Sequence, residues 1–287
     1  MKRIAYIILN YKTYQDTDRV TKEILSFGKD NDVIIIVDNC SPNESSKELH
    51  RLYDDVDLVD VIDTGENGGY ARGNNFGLRY AKKYNPQYVC IINNDVHFTS
   101  ETIDYLVNIY SQLPNTGVIS PLQVLPDNKV AQFPILKLPD FEYDIRSYCF
   151  LFDNPQHVYQ RTNMDFDIQE VGVIPGAFLF ANYKILENIG FFDESTFLFC
   201  EERFLSKKIQ DAGFKNYIIL DKSYIHEHSK TINSEASVRR QMKMMLSGRL
   251  LFTKKYRKMP HLKCALLYLG CYYCVAWHSL KGVLKKH

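Results

Sequence analysis

A chain of 287 residues, 45% hydrophobic and 24% charged, with 14 Gly, 10 Pro and 7 Cys, has ordinary globular proportions, which excludes a disordered segment, a collagen repeat and a disulfide-stapled miniprotein. The length suits one large domain with an appendage, or two small domains. A formal net charge of +1 hides a division: twelve Lys and Arg and no Asp or Glu follow Glu235, which leaves residues 1–235 at −11, an acidic body with a basic tail.

The opening MKRIAYIILNYKTY contains a short apolar run, Ile4 to Leu9, and no small-residue cleavage site. It reads as a first strand rather than a secretory signal. Asp16 to Phe27 is predicted as a helix, Val33 to Val37 as a strand, Glu44 to Leu52 as a helix, Leu58 to Ile62 as a strand, Tyr70 to Tyr84 as a helix and Tyr88 to Ile92 as a fourth strand. This alternation implies an α/β fold with a mostly parallel sheet and helices on both faces. Such sheets bind ligands at the carboxyl ends of their strands, here the loops after Leu9, Val37, Ile62 and Ile92. Residues 121–170 read as irregular structure shaping a cleft. Val171 to Ala181 is again strand-like, Tyr183 to Ile189 a short helix, Glu201 to Ala212 a helix capped by Gly213, and Tyr217 to Leu220 and Ser223 to Ile225 short strands. The odd number of Cys, with Cys40, Cys90, Cys149 and Cys200 far apart, points to free thiols in a reducing compartment. The C-x-x-C pair Cys271 and Cys274 has no second pair to complete a zinc site.

Several strand ends carry polar groups. Asp38, Asn39 and Ser41 follow the second strand, either as a capped turn or as a nucleotide pocket in which Asp38 accepts hydrogen bonds from a base or ribose. In Glu66–Gly77, Gly69, Gly73 and Gly77 form a bare stripe on a helix, suited to close approach by a backbone or ligand, or to tight packing on the sheet. The spacing is not G-x-G-x-x-G, so it is no dinucleotide fingerprint. Asn93-Asn94-Asp95 puts an acid on the lip of the sheet, where it can hold Mg²⁺ or Mn²⁺ and leave positions open for phosphates, or serve as a turn residue. Glu201 and Glu202 begin a helix, where they complement its dipole or offer a general base. His226 and His228 lie on a short strand, one of them a candidate metal ligand.

In this order, ILNYK, VDNCS, ENGGYARGNNFG, INNDV, PGAFLF, GFFDE, CEER and HEHSKT resemble the family 2 glycosyltransferases with the GT-A fold, in particular the bacterial branch of rhamnosyl- and galactofuranosyl-transferase-like enzymes of surface polysaccharide synthesis. The resemblance covers about residues 3–235. It implies a Rossmann-like sheet and a metal-dependent, inverting transfer from a nucleotide-diphosphate sugar. Asn10 and Asp38 would line the nucleoside pocket. Asn67, Gly68 and Gly73 would wrap the ribose and diphosphate, joined by Asn93, Asn94 and Gly176 around the donor. Asp95 matches the last acid of a D-x-D-like motif whose first member here is Asn93, so one carboxylate rather than two would bind Mg²⁺ or Mn²⁺. His226, five residues before Thr231, is preferred to His228 as the second metal or diphosphate contact. Glu202 matches the catalytic base, with Glu201 as fallback on the acceptor side beside Asp193. Phe204 replaces an acid that the family often carries two positions after the base.

The extension, residues 236–287, is expected to be helical. Cys264 to Trp277 is uncharged but shorter than the roughly 20 residues that cross a bilayer. With Lys254, Lys255, Arg257, Lys258 and Lys263 before it and Lys281, Lys285 and Lys286 after it, it reads as an interfacial helix on anionic lipid, the alternative being packing on the acidic body. These readings imply a cytoplasmic enzyme, peripheral on the inner face of the membrane, with a saccharide or lipid-linked oligosaccharide acceptor. No nucleic-acid motif accompanies the basic residues. The competing functions are a nucleotidylyltransferase, which would want glycines in the loop Asn10–Thr13, and a non-catalytic subunit that binds sugar nucleotide or polysaccharide.

Overall fold

The computed structural model describes residues 3–127, 129–130, 135–148, 167–227 and 235–284. Strands β1 (Ile4–Asn10), β2 (Val33–Asp38), β3 (Val59–Asp63) and β4 (Tyr88–Asn93) pair in parallel in the order β3-β2-β1-β4. Helices α1 (Tyr14–Phe27), α2 (Ser45–Tyr53) and α3 (Gly69–Ala81) connect them. β1, β2 and β4 are apolar runs because both of their faces are covered. Alternate residues serve opposite cores: Tyr6, Ile8, Ile34 and Ile36 pack with Val20, Ile24 and Leu49, whereas Ile7, Ile35 and Val37 pack with Ala71, Leu78 and Ala81 of α3.

Beyond β4 the sheet becomes mixed. β5 (Val96–His97), α4 (Ser100–Tyr110) and β6 (Thr116–Val124) follow, then α5 (Phe141–Tyr148), β7 (Ile168–Val171), β8 (Phe178–Asn182), α6 (Tyr183–Asn188), α7 (Glu201–Asp211) and β9 (Lys215–His226). β8 inserts antiparallel between β4 and β6, β6 runs parallel to β9, and β5 and β7 pair antiparallel with β9. The stretch predicted as one strand over 171–181 breaks at Gly172–Ala177, and the gap becomes a wall of the site. The two short strands predicted after Gly213 are one long β9, in which the residues opposite Pro121 and Leu122 of β6 jump from Ile219 to Ser223 across a bulge. Gly213 ends α7 in the left-handed conformation (φ 83°), as its capping role requires.

The chain ends in α8 (Glu235–Phe252), a π-helical turn (Thr253–Arg257) and α9 (His261–Leu284). Leu246, Leu267, Cys271 and Cys274 form a core with Phe141 and Ile145 of α5. Buried Asp144 receives Arg203 of α7 at 2.9 Å and Arg257 at 2.8 Å, so two cations compensate one buried carboxylate. The outward side of α9 carries Leu262 (74% exposed), Leu266, Tyr268, Leu269, Tyr272 (78% exposed) and Tyr273. Among the described residues, no helix is long and apolar enough to cross a membrane.

Candidate active site

The carboxyl ends of β1, β2 and β4 are tied by one hydrogen-bonded series. Asp38 accepts from the Ser41 backbone N–H (2.7 Å), the Ser41 hydroxyl (2.8 Å) and the Asn10 amide (2.6 Å). The side-chain Oδ1 of Asn10 accepts from the Thr17 hydroxyl at 2.8 Å, and Thr17 in turn accepts from the Asn94 side-chain amide at 2.9 Å. Asn10, Asp38 and Thr17 are fully buried. The two residues expected to line a nucleoside pocket are therefore sealed from solvent and satisfied by one another and by Ser41 and Thr17.

Asp95 follows Asn94 directly. Its Oδ1 lies 3.0 Å from Nε2 of His226 at the end of β9, with side chains 13% and 12% exposed. The pairing of Val96 with His226 across β5 and β9 sets this approach. Nδ1 of His226 lies 3.0 Å from the Gln123 amide nitrogen, and the Tyr224 hydroxyl donates to Gln123 Oε1 at 3.2 Å. Neither Gln123 nor Tyr224 was picked out from the sequence. Both belong to segments whose pairing is long-range, and only the β6–β9 register brings them together. His228 and Thr231 lie outside the described residues.

The opposite wall is the 172–177 break. The Asn93 N–H donates to the Ala177 carbonyl at 2.9 Å, which sets Gly176 beside the Asn93–Asp95 lip. A Cβ on Gly176 would lie 2.9 Å from Glu202 Oε1 and 3.3 Å from Cδ, so only glycine lets the carboxylate rest there. The Tyr70 hydroxyl donates to the Gly176 carbonyl at 2.6 Å, and the Tyr70 N–H donates to Phe197 O at 2.9 Å, which joins the start of α3 to the loop before α7. Burial raises the pKa of Glu202, against a smaller opposing effect from Arg203. Burial raises Glu201 further, aided by the charge of Glu202. Burial also raises Tyr224, and the charges of Asp95 and Glu202 add to it, so this one hydroxyl feels both carboxylates.

The other expected residues divide. Asn67 accepts from the Asn39 amide and from the Gly69 N–H, both at 3.1 Å, and shapes the partly exposed turn that includes Gly68. Gly73 is buried, and a Cβ there would lie 2.5 Å from Leu9 Cδ1, so this glycine serves the seating of α3 on the sheet. Asp193 is buried and bound to the C-terminal segment: Lys255 lies 2.7 Å away, and the Tyr256 hydroxyl donates at 2.6 Å. Burial opposes its ionisation, but Lys255, Ser195 and Tyr256 outweigh that and hold its pKa down at about 2.

A family model described as glycosyl transferase family 2 matches residues 6–190. The low-salt glycan biosynthesis hexosyltransferase Agl10 of Haloferax volcanii is 29% identical over 69% of this chain and 59% of its own length. An N-acetylglucosaminyl-diphospho-decaprenol L-rhamnosyltransferase of Mycobacterium tuberculosis is 23% identical over 67% of the chain and 66% of its own length. The chain thus spans under two thirds of these curated relatives. Among solved structures, a mannosyltransferase from Pyrobaculum calidifontis in complex with GDP-Man and Mn²⁺ superposes with a TM-score of 0.60 at 16% identity, covering 94% of this chain and 69% of that one. GalNAc-T7 with UDP, GalNAc and Mn²⁺ gives 0.59 at 15% identity, covering 84% and 48%. These likenesses establish the GT-A fold. The family match over residues 6–190, well over half of the chain, makes the chain a member of glycosyl transferase family 2.

Proposed function

We propose that the chain moves a hexosyl or deoxyhexosyl group from a nucleoside-diphosphate sugar to a hydroxyl of a saccharide acceptor, with inversion at the anomeric carbon. The observations that support this reading are Gly176, whose missing side chain leaves room for the Glu202 carboxylate, and the Asn93–Ala177 hydrogen bond, which draws that segment to the strand end that carries Asp95. Glu202 accepts the proton of the attacking hydroxyl as the acceptor oxygen bonds to the anomeric carbon and the bond to the diphosphate breaks. Its raised pKa makes it a stronger base than a surface carboxylate. Asn67 and Gly68 offer polar groups at the start of α3 to the diphosphate, while Asn10 and Asp38 brace the nucleoside side from behind.

The residues at Asp95 fit a divalent ion. Asp95 Oδ1 and His226 Nε2, 3.0 Å apart, are the two protein groups that would hold it, with the donor diphosphate supplying further oxygens. When bound, Mg²⁺ or Mn²⁺ would neutralise charge on the departing diphosphate. A nitrogen donor suits Mn²⁺ better than the oxygen-preferring Mg²⁺. Gln123 can turn its amide so that oxygen faces Nδ1, which lets His226 carry its proton there and free Nε2.

The exposed apolar side of α9, together with the exposed Lys254 and Lys258 that precede the helix, supports a peripheral seat on an anionic membrane surface on the cytoplasmic side and a lipid-linked acceptor in polysaccharide synthesis. In this reading residues 1–235 are the catalytic domain and 236–287 the membrane-associating extension.

The test is a screen of GDP-, UDP- and dTDP-linked sugars with Mn²⁺, scored by thermal shift and by nucleoside diphosphate release with saccharide acceptors. Glu202→Gln is expected to lower turnover by about 10² to 10⁴ while nucleotide affinity stays within a few fold. Binding without turnover in the native chain would favour a non-catalytic sugar-nucleotide-binding subunit instead.

A further inference from the structure

The turn that delivers Glu201 and Glu202 is strained. Phe199 (φ 71°) and Cys200 (φ 72°) are successive non-glycine residues in the left-handed region, a conformation held only where the surroundings enforce it. Cys200 is the N-cap of α7, yet no side-chain capping bond forms there. The enforcement comes from α8. The Cys200 thiol points to the Met245 carbonyl at 3.4 Å. Gly248 lies so close that a Cβ would sit 3.1 Å from Cys200 Cβ, 3.2 Å from its Sγ and 3.2 Å from the Phe199 carbonyl oxygen. One turn further along α7, Phe204 meets Phe252 and Tyr256 edge to face, at centroid distances of 5.3 and 5.4 Å.

We propose that α8 belongs to the catalytic apparatus, with Gly248 as the positioning residue whose missing side chain leaves room for the left-handed turn at Phe199 and Cys200 and thereby aims Glu202 at the Gly176 wall. The proposal rests on the reading of Glu202 as the base. The groups that face Glu202 are Glu201 and Arg203 on its own helix, Tyr70 from α3 and Tyr224 from β9, while Arg249 of α8 stands by Cys200. A side chain at position 248 would push Cys200 away, loosen the turn and admit water to Glu202. Hydration favours the ionised carboxylate, so the acid limb of the pH–kcat profile should move to lower pH.

The experiment compares Gly248→Val, Gly248→Ala and the double variant Cys200→Gly with Gly248→Ala. In the double variant, glycine takes the left-handed conformation freely and vacates the space that the new methyl needs. Turnover is read as nucleoside diphosphate released from the donor found in the screen, and binding by titration with UDP or GDP in Mn²⁺. The Glu202 carboxyl is also titrated directly by NMR in protein labelled with ¹³C-Glu, assigned through Glu202→Gln. Gly248→Val is expected to lower kcat at least tenfold, keep nucleotide affinity within twofold and lower the pKa of Glu202, and the double variant to recover what Gly248→Ala loses. If Gly248→Val does not fold, Gly248→Ala is judged by the same three measures. Native kcat with an unmoved Glu202 titration, a parallel loss of nucleotide binding, or no recovery in the double variant would each overturn the proposal. Full turnover in Glu202→Gln would instead overturn the base assignment, whereas an inactive Glu202→Gln beside an undisturbed Gly248→Val would defeat the positioning role alone.

Discussion

Glu201 and Asp193 are two buried carboxyls with opposite fates. Glu201 is 4% exposed, and its Oε2 has no hydrogen-bond partner among the described residues. Its raised pKa means that the neutral form is native below the unfolded pKa of about 4.3, and that stability is lost as pH rises through the folded value. Glu201→Gln should therefore leave Tm unchanged near pH 4 and raise it increasingly toward pH 8. A pH-independent difference in Tm would contradict this account. Asp193, held at about 2 by Lys255, Ser195 and Tyr256 against the pull of burial, works the other way. Its contribution is present above the unfolded pKa of about 3.9 and fades only as pH falls toward 2. Lys255→Ala should then loosen the C-terminal segment at neutral pH, seen as faster amide exchange in 253–257, and the difference from the native chain should vanish in acid. Resemblance placed Asp193 on the acceptor side. Besides the neighbouring Ser195, its partners Lys255 and Tyr256 lie more than 60 positions away, and nothing in GFFDE announces them.

At the level of elements, α3 shows what its glycines do. Gly73 and Gly77 let the helix settle onto Leu9, Ile7 and Val37, the packing explanation of the stripe, while Gly69 (φ 84°) lets the Phe197 carbonyl approach the start of the helix. Gly65 (φ 76°) shares the left-handed conformation but faces open space. Alanine at either position should cost about 1–2 kcal/mol for the backbone alone. Gly69→Ala should cost clearly more, because its Cβ would collide with Phe197 O, and the gap between the two melting temperatures measures that collision. Equal losses would show that the loop before α7 yields freely. The first four strands and three helices were legible to within a few residues, since buried parallel strands are nearly pure apolar runs. α4 and β6 were not singled out, and β9 looked like two strands because Asp221 and Lys222 sit at its bulge. The site was legible where motif residues stand at strand ends. Gln123, Tyr224, Tyr70 and Gly248 were not, because each acts through a partner supplied by distant chain.

Across the whole molecule, charge and apolar surface are set apart. The basic C-terminal segment meets the acidic body at Asp144 and Asp193, yet α9 still turns a leucine- and tyrosine-rich side outward. The chain should cosediment with vesicles containing phosphatidylserine at low salt. Leu266→Glu should weaken this more than tenfold, given about 1.5–3 kcal/mol for burying a leucine, while leaving turnover on a soluble acceptor unchanged. Retention of the variant on vesicles would rule out α9 as the seat. The series from Ser41 through Asp38, Asn10 and Thr17 to Asn94 has a different reach. Because its last member is the neighbour of Asp95, a substitution at Asp38 is felt through Asn10 and Thr17 at the far lip of the sheet, and any redesign of one strand end will demand repairs at both ends of that relay.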